Sequence, residues 1–336
     1  MKHFEPKAIL YEPDTAKYEF GRTMLAKYMN KGIPMEKIES HNRIPEMTSR
    51  PNSEFALMKS YLILGVRKTL KYTPNAKVSD WLVPFTSSGC AAMCLYCYLV
   101  CTYNKCAYLR VFVNREQIMD KLIKTAIDSE KEETFEIGSN SDLILENTVT
   151  DNLIWAIPEF GKLERGYITL PTKFSMVDPI LGLEHKGRTI IRMSVNPESI
   201  ISQVELGTSS LNERIDAINK LAEAGYKIGI LVAPVILTEG WESLYTHMIE
   251  RLSDELSQKA RKNLFFEVIF LTYSYVQQKI NEEAFKNAPE LYSKETMSPK
   301  GRGKYSYKMN IKEFAGDLIR SLLEERFPGC EIIYIV

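Results

Sequence analysis

The chain has 336 residues, 45% of them hydrophobic, enough to bury one large core or a barrel with appendages. Lys plus Arg (43) balances Asp plus Glu (43), so no global attraction to nucleic acid exists and any such contact must come from a local basic patch. The start Met1-Lys2-His3-Phe4-Glu5 carries no apolar signal region, and no run of eighteen apolar residues follows. Neither export nor membrane insertion is expected, and the expected compartment is the reducing cytoplasm.

Residues 1 to 50 are polar and punctuated by Glu12-Pro13, Gly32-Ile33-Pro34 and Ile44-Pro45, which predicts a helical extension with turns. A helix is predicted over Ser53–Leu70. Apolar runs of strand length follow at Trp81–Phe85, Phe135–Gly138, Tyr167–Leu170, Thr189–Val195, Lys227–Val235 and Leu264–Leu271. Amphipathic helical stretches separate most of them, clearest at Arg115–Lys131, Ser209–Ala224 and Trp241–Lys259. In the second of these Leu211, Ile215, Ile218, Leu221 and Ala222 share one face. Six such units predict an α/β fold with a parallel, barrel-like sheet, helices outside, and ligand sites at the carboxyl ends of the strands. The expected organisation is an N-terminal helical extension (1–75), a barrel (76–290) and a C-terminal segment (291–336). That segment opens on a basic-aromatic stretch from Lys294 to Lys308 and closes with a helix at Ile311–Arg326 and a strand at Glu331–Val336.

Three of the six cysteines, Cys90, Cys94 and Cys97, follow the first strand in the spacing C-x3-C-x2-C, on a turn-rich stretch opened by Thr86-Ser87-Ser88-Gly89. Three thiolates on one tight loop suit three irons of a [4Fe-4S] cubane and leave the fourth iron open to a ligand. Structural zinc wants four ligands and usually a second C-x2-C or His pair. Only Cys101 and Cys106 stand near enough in sequence to supply a fourth, while His3, His41, His185 and His247 are scattered. A disulfide fits neither the compartment nor the spacing.

The cysteine spacing, with Tyr96 and Tyr98 on either side of the third cysteine, resembles the radical SAM signature. The fuller loop Gly89-Cys90-Ala91-Ala92-Met93-Cys94-Leu95-Tyr96-Cys97-Tyr98-Leu99, followed by Tyr108-Leu109-Arg110-Val111-Phe112-Val113-Asn114, resembles the spore photoproduct lyase family more narrowly. Further matches run in order: Ser141-Asp142, Thr172-Lys173-Phe174, Arg192-Met193-Ser194-Val195-Asn196, Ala233-Pro234, Glu239-Gly240-Trp241, and Lys304-Tyr305-Ser306-Tyr307. The similarity covers roughly residues 50 to 335, and the ordered set is far more specific than the cysteine spacing alone.

The resemblance implies a partial (β/α)6 TIM-type barrel of the radical SAM class, with the N-terminal helical extension and a C-terminal DNA-contacting segment. It implies that Cys90, Cys94 and Cys97 ligate a [4Fe-4S] cluster whose open iron binds the amino and carboxylate groups of S-adenosylmethionine. Lys173 would neutralise that carboxylate, Ser141, Ser194 and Asn196 would supply short polar contacts at strand ends, and Ala233 would let the adenine approach the backbone. The implied reaction is reversal of the linked-thymine lesion 5-thyminyl-5,6-dihydrothymine to two thymines, started by hydrogen abstraction with a 5′-deoxyadenosyl radical. An external electron donor of flavodoxin or ferredoxin type would reduce the cluster, and the protein would act as a monomer on damaged DNA. Arg302, Lys304 and Lys308, with Lys300, would meet phosphates while Tyr305 or Tyr307 packs on bases.

One position departs from the family pattern. Where the family carries a hydrogen-donating cysteine this chain reads Ser139-Asn140-Ser141-Asp142, so the catalytic set implied is Ser139 with Tyr98 and Tyr96. A serine O–H bond is much stronger than a thiol S–H bond and is a poor hydrogen-atom donor. Either another group returns the hydrogen, with Tyr98, Cys101 and Cys106 the nearby candidates in sequence, or the chain is a radical SAM paralogue with a different substrate; a non-catalytic iron–sulfur or zinc-binding protein is the third function that stands beside the repair lyase.

Overall fold

The computed structural model describes residues 4–103 and 106–336. The chain forms two compact units, each assembled from separated stretches. The first comprises Met1–Ala91, Thr102–Leu170 and Gly182–Ile190; the second comprises Ala92–Cys101, Pro171–Leu181 and Ile191–Val336.

In the first unit the strands Met35–Lys37, Ala8–Tyr11, Tyr61–Gly65 and Leu109–Phe112 run parallel in that order, and the short strand Ser87–Ser88 closes the edge antiparallel to Leu109–Phe112. Ile9, Leu62, Leu64, Leu109 and Val111 pack with Phe20, Met24 and Tyr28 of the helix Glu19–Asn30. A second run of strands pairs Thr73–Pro74 with Trp81–Leu82, then Thr134–Glu136, then Tyr167–Thr172.

The second unit is built on parallel pairing of Lys227–Val235 with Leu264–Phe270 and of the latter with Glu331–Ile335. Helices Leu211–Glu223, Trp241–Glu255 and Met309–Arg326 accompany these strands. The first begins at a capping box, Ser210 with Glu213, and buries the expected face of Leu211, Ile215, Ile218, Leu221 and Ala222. None of the helices among the described residues is long and apolar enough to cross a membrane.

The strands expected at Thr189–Val195 and Lys227–Val235 have those bounds. Two expectations need correction. The predicted helix over Ser53–Leu70 is instead a one-turn helix, Phe55–Met58, followed by the strand Tyr61–Gly65. Leu62, Ile63 and Leu64 are all fully buried, so both faces of that strand are apolar, and a continuous apolar run carries neither period. The N-terminal extension likewise contains strands as well as the helix Glu19–Asn30, and its strands are short or buried on successive residues. The basic-aromatic stretch is an antiparallel hairpin, Met297–Gly301 with Lys304–Tyr307, whose second strand pairs with Thr272–Ser274. Its turn holds Gly301, Arg302 and Gly303 in the left-handed region, with φ of 84°, 50° and 68°.

Gly89, directly before the first cysteine, has a φ of 77°, and a Cβ there would lie 1.9 Å from the Tyr108 carbonyl oxygen. Backbone cannot yield as a flexible side chain can. Gly89→Ala is expected to lower stability by more than about 1 kcal/mol, read as a shift of the denaturant midpoint.

Candidate active site

In the first unit, the turn holding Ser139 follows Thr134–Glu136 and is stitched to the entry of the cysteine loop. Gly89 N–H donates to the Asn140 carbonyl at 2.7 Å. The Ser141 hydroxyl donates to the Gly89 carbonyl at 2.9 Å and accepts from the Ser87 hydroxyl at 2.7 Å. Asp142 then caps the helix Leu143–Thr150 by accepting from Leu145 N–H. Ser141 is therefore fixed beside Gly89 by backbone pairing, and Ser139, two residues before it, is half-buried.

In the second unit, Cys94 lies in a short strand, Met93–Cys94, antiparallel to Glu205–Leu206, with Cys94 opposite Glu205. Cys97 N–H bonds to the Cys94 carbonyl at 3.2 Å, and Asn281 holds the loop by donating to the Leu95 carbonyl at 2.7 Å. None of the six cysteines forms a disulfide. Tyr98, 57% exposed, opens the helix Tyr98–Thr102. The Cys101 sulfur lies 2.8 Å from the Ser274 hydroxyl.

The side chain that organises this region is Glu205, only 1% exposed. One oxygen accepts from Lys173 Nζ at 2.9 Å, Asn196 Nδ2 at 2.8 Å and the Tyr96 hydroxyl; the other accepts from Arg214 at 2.6 Å. Burial pushes the Glu205 carboxyl up, but Lys173 and Arg214, with the Tyr96 and Asn196 hydrogen bonds, outweigh it and hold the group well below the usual carboxylate range. Burial first, then the neighbouring Glu205 charge, pushes the Tyr96 phenol far above its usual value. Tyr96 is thus a fixed neutral donor.

Lys173 also donates to the Ser194 hydroxyl at 2.6 Å and the Ala233 carbonyl at 2.8 Å, and Ser194 donates to that same carbonyl at 2.9 Å. The structure therefore brings Tyr96, Lys173, Ser194, Asn196 and Ala233 together, as a set anchored at strand ends. Asn196 is fully buried and reaches this set through Glu205, while its side-chain Oδ1 accepts from the Tyr245 hydroxyl at 3.0 Å.

Sequence reasoning missed Glu205 and Arg214. Arg214 left a readable signal. It falls on the apolar stripe of its helix, between Leu211 and Ile218, where a cation is tolerated only if paired. Glu205 sits in no motif and has no such signal.

On the hairpin, Arg302, Lys304 and Lys308 are exposed, and Lys308 donates to the Glu295 carbonyl at 2.7 Å. Tyr305 is half-buried against Tyr292, with ring centroids 4.5 Å apart. Tyr307 is buried and its hydroxyl accepts from Leu237 N–H, so of the two tyrosines only Tyr305 offers a face to a ligand.

The family profile described as spore photoproduct lyase matches residues 4–336. The chain belongs to the spore photoproduct lyase family. It is 34% identical over 337 residues to a spore photoproduct lyase of Bacillus subtilis (strain 168), covering 98% of each chain. It is 31% identical over 340 residues to that of Geobacillus sp. (strain Y412MC61), covering 99% of each. Solved structures described as spore photoproduct lyase complexed with dinucleoside spore photoproduct, and as a mutant with bound AdoMet and that dinucleoside, match with a TM-score of 0.92 at 30% identity over 100% of both chains. The fold class is that of this lyase family, the α/β partial TIM-type barrel of radical SAM enzymes.

Replacing Glu205 leaves two basic groups facing an uncompensated interior. Glu205→Gln is expected to destabilise the protein by about 3–5 kcal/mol, measured by denaturant unfolding. The pH dependence carries a definite sign. A carboxylate whose folded pKa is depressed contributes fully above the unfolded value of about 4.3 and loses that contribution as pH falls towards the folded value. The unsubstituted protein is therefore expected to lose stability below about pH 5 more steeply than Glu205→Gln does.

Proposed function

We propose that this chain is a cytoplasmic, monomeric radical SAM lyase that reverses spore photoproduct in damaged DNA to two thymines. The observation that carries this reading is the family membership over the full chain together with the strand-end set around Lys173. Cys90, Cys94 and Cys97 would hold a [4Fe-4S] cluster, reduced by an external flavodoxin- or ferredoxin-type donor. Among the described residues no three His, Cys, Asp or Glu side chains are grouped to hold a single metal ion. A cubane makes a different demand, because each thiolate binds a different iron, and three cysteines outside any disulfide within eight residues are a suitable donor set. When bound, the cluster and S-adenosylmethionine supply one-electron cleavage of a carbon–sulfur bond and thereby hydrogen-atom abstraction.

The chain's own residues bind and orient. Lys173 offers its ammonium to the carboxylate of the cofactor, and because it already donates to Ser194, Glu205 and Ala233, binding must exchange one of these bonds. Ser194 and Ala233 line the same strand ends, Ser141 holds the entry of the cysteine loop, and Asn196 acts by fixing Glu205. The lesion has to leave the duplex stack, at a cost that is smaller for a damaged site. The hairpin supplies Lys300, Arg302, Lys304 and Lys308 for phosphates and Tyr305 for a base.

Ser139 stands in sequence at the family's donor position, and the exposed Tyr98 and the Glu205-bound Tyr96 complete the catalytic set that the family resemblance implies. A product radical on the thymine needs a hydrogen atom, which a serine hydroxyl gives poorly. This favours a second reading, in which the same radical SAM site serves a different substrate.

Cys94→Ala is expected to abolish cluster assembly while Cys330→Ala leaves it intact, read as iron per chain after anaerobic reconstitution. Full iron content in Cys94→Ala would remove the ligand assignment. In a repair assay on the dinucleotide lesion, the unsubstituted chain is expected to cleave the linking bond but yield aberrant thymine adducts, and Ser139→Cys is expected to raise the yield of intact thymines. Clean repair by the unsubstituted chain, with no gain in Ser139→Cys, would show that another group returns the hydrogen. Reductive cleavage of S-adenosylmethionine with no lesion cleavage in either variant would decide for the different substrate.

A further inference from the structure

Two basic side chains of the first unit bond the backbone that leads into the first cysteine, and a third, Arg110, lies on the strand paired with it. Arg67 donates to the Ser87 carbonyl at 3.1 Å. Arg110 stands opposite Ser88 in the antiparallel register. Lys59 Nζ donates to the Cys90 carbonyl at 2.5 Å and to the Ala107 carbonyl at 2.8 Å, the same carbonyl that receives the Cys90 N–H. Two of the four residues from Ser87 to Cys90 thus have their carbonyl bound by a cation, while the Arg110 side chain bonds the His41 and Cys106 carbonyls.

None of the three pairs with a carboxylate among the described residues; Lys59 and Arg67 donate to carbonyl oxygens, and Arg110 bonds the His41 and Cys106 carbonyls and the Tyr108 side chain. Lys59 and Arg110 are each 3% exposed, and Arg67 is half-buried. Arg110 Nη1 and Arg67 Nε are shut off from solvent with no hydrogen-bond partner. The guanidinium of Arg67 lies 3.8 Å from the Phe112 ring centroid, and that of Arg110 lies 4.4 Å from Tyr108. Burial pushes both arginines down, Arg67 to about 10, with Arg110 adding to the shift at Arg67. The Glu12 carboxylate near this face is already bound to the His41 N–H, the His41 ring and the Val66 N–H.

Buried charges are normally paired or placed against a metal centre. Three such cations without a carboxylate, two of them bonded to the backbone from Ser87 to Cys90, are costly to the chain alone. Resting on the iron–sulfur reading above, we propose that Lys59, Arg67 and Arg110 are the counter-charge to the thiolate-bound cluster and raise its reduction potential. Three thiolates on a [4Fe-4S] cluster make it net negative, and reduction adds one more negative charge. Cations fixed along the backbone of one ligand favour assembly over the empty chain and favour the reduced state over the oxidised one. They tune the centre without touching substrate.

The test uses the full chain, unsubstituted and as Lys59→Met and Arg67→Gln, reconstituted anaerobically. Iron per chain, the midpoint potential from a redox titration followed by electron paramagnetic resonance, and thermal unfolding of the metal-free protein are measured. Both variants are expected to bind the cluster with a more negative midpoint. At fixed potential the reduced-to-oxidised ratio is expected to fall up to tenfold, equal to about 59 mV for one electron. Without metal, both are expected to be at least as stable as the unsubstituted chain, because a buried unpaired charge has been removed. Lys59→Arg is expected to keep the original midpoint. A full cluster with an unmoved midpoint in both variants, or metal-free variants that are clearly destabilised, would overturn the counter-charge role and leave the iron–sulfur reading standing. An unsubstituted chain that takes up no iron would overturn both.

Discussion

A carboxylate taken out of water without partners gives up its charge, and Glu205 keeps its own only because Lys173, Arg214, Asn196 and Tyr96 all donate to it. These four come from widely separated stretches of the second unit. Asn196 follows the strand Thr189–Val195, Lys173 follows Tyr167–Thr172, Arg214 lies on the helix Leu211–Glu223, and Tyr96 belongs to the cysteine loop. One interior charge thereby fixes a loop, two strand ends and a helix at once. The backbone pairing of Glu205 with Cys94 adds a second constraint on the same loop. The arrangement resembles the way an oriented ligand shell is held elsewhere in proteins, with outer partners setting the direction of inner ones.

The same charge rule separates the two units. In the second, the buried cation Arg214 has its carboxylate, and so does Arg192, paired with Glu267. In the first, Lys59 and Arg110 are equally buried and have no carboxylate partner among the described residues, Lys59 bonding carbonyl oxygens and Arg110 two carbonyls and the Tyr108 side chain. A fold that pairs its interior charges in one place and leaves them unpaired in another marks where a charge is to be supplied from outside the polypeptide. That place is the approach to Cys90.

The hairpin Met297–Gly301 and Lys304–Tyr307 gives a neutral chain a local basic surface. With equal numbers of acidic and basic residues overall, long-range steering is weak, and contact with a phosphate backbone depends on how a few cations are presented. The left-handed turn Gly301-Arg302-Gly303 places Arg302 at the tip, and pairing with Thr272–Ser274 ties the hairpin to the second unit. Of its aromatics, Tyr307 is consumed by the fold through Leu237, which leaves Tyr305 at the surface.

The amino-acid sequence by itself determined the cysteine loop, the strand–helix alternation, and the family to which the chain belongs. Those features are local: spacing along a loop, a 3.6-residue stripe such as Leu211 to Ala222, and short ordered motifs at strand ends. The strand Tyr61–Gly65 escaped because both its faces are buried, so its residues show no alternation to distinguish it from a buried helix. The hairpin escaped because its residues are charged and glycine-rich, and its pairing with Thr272–Ser274 joins positions some thirty residues apart. Only the tertiary structure decided that Glu205 sits between Lys173 and Arg214, and that Lys59 and Arg110 are buried with no carboxylate partner among the described residues. The free energy of a buried charge depends on which groups surround it in space, and nothing in the order of residues along the chain states that.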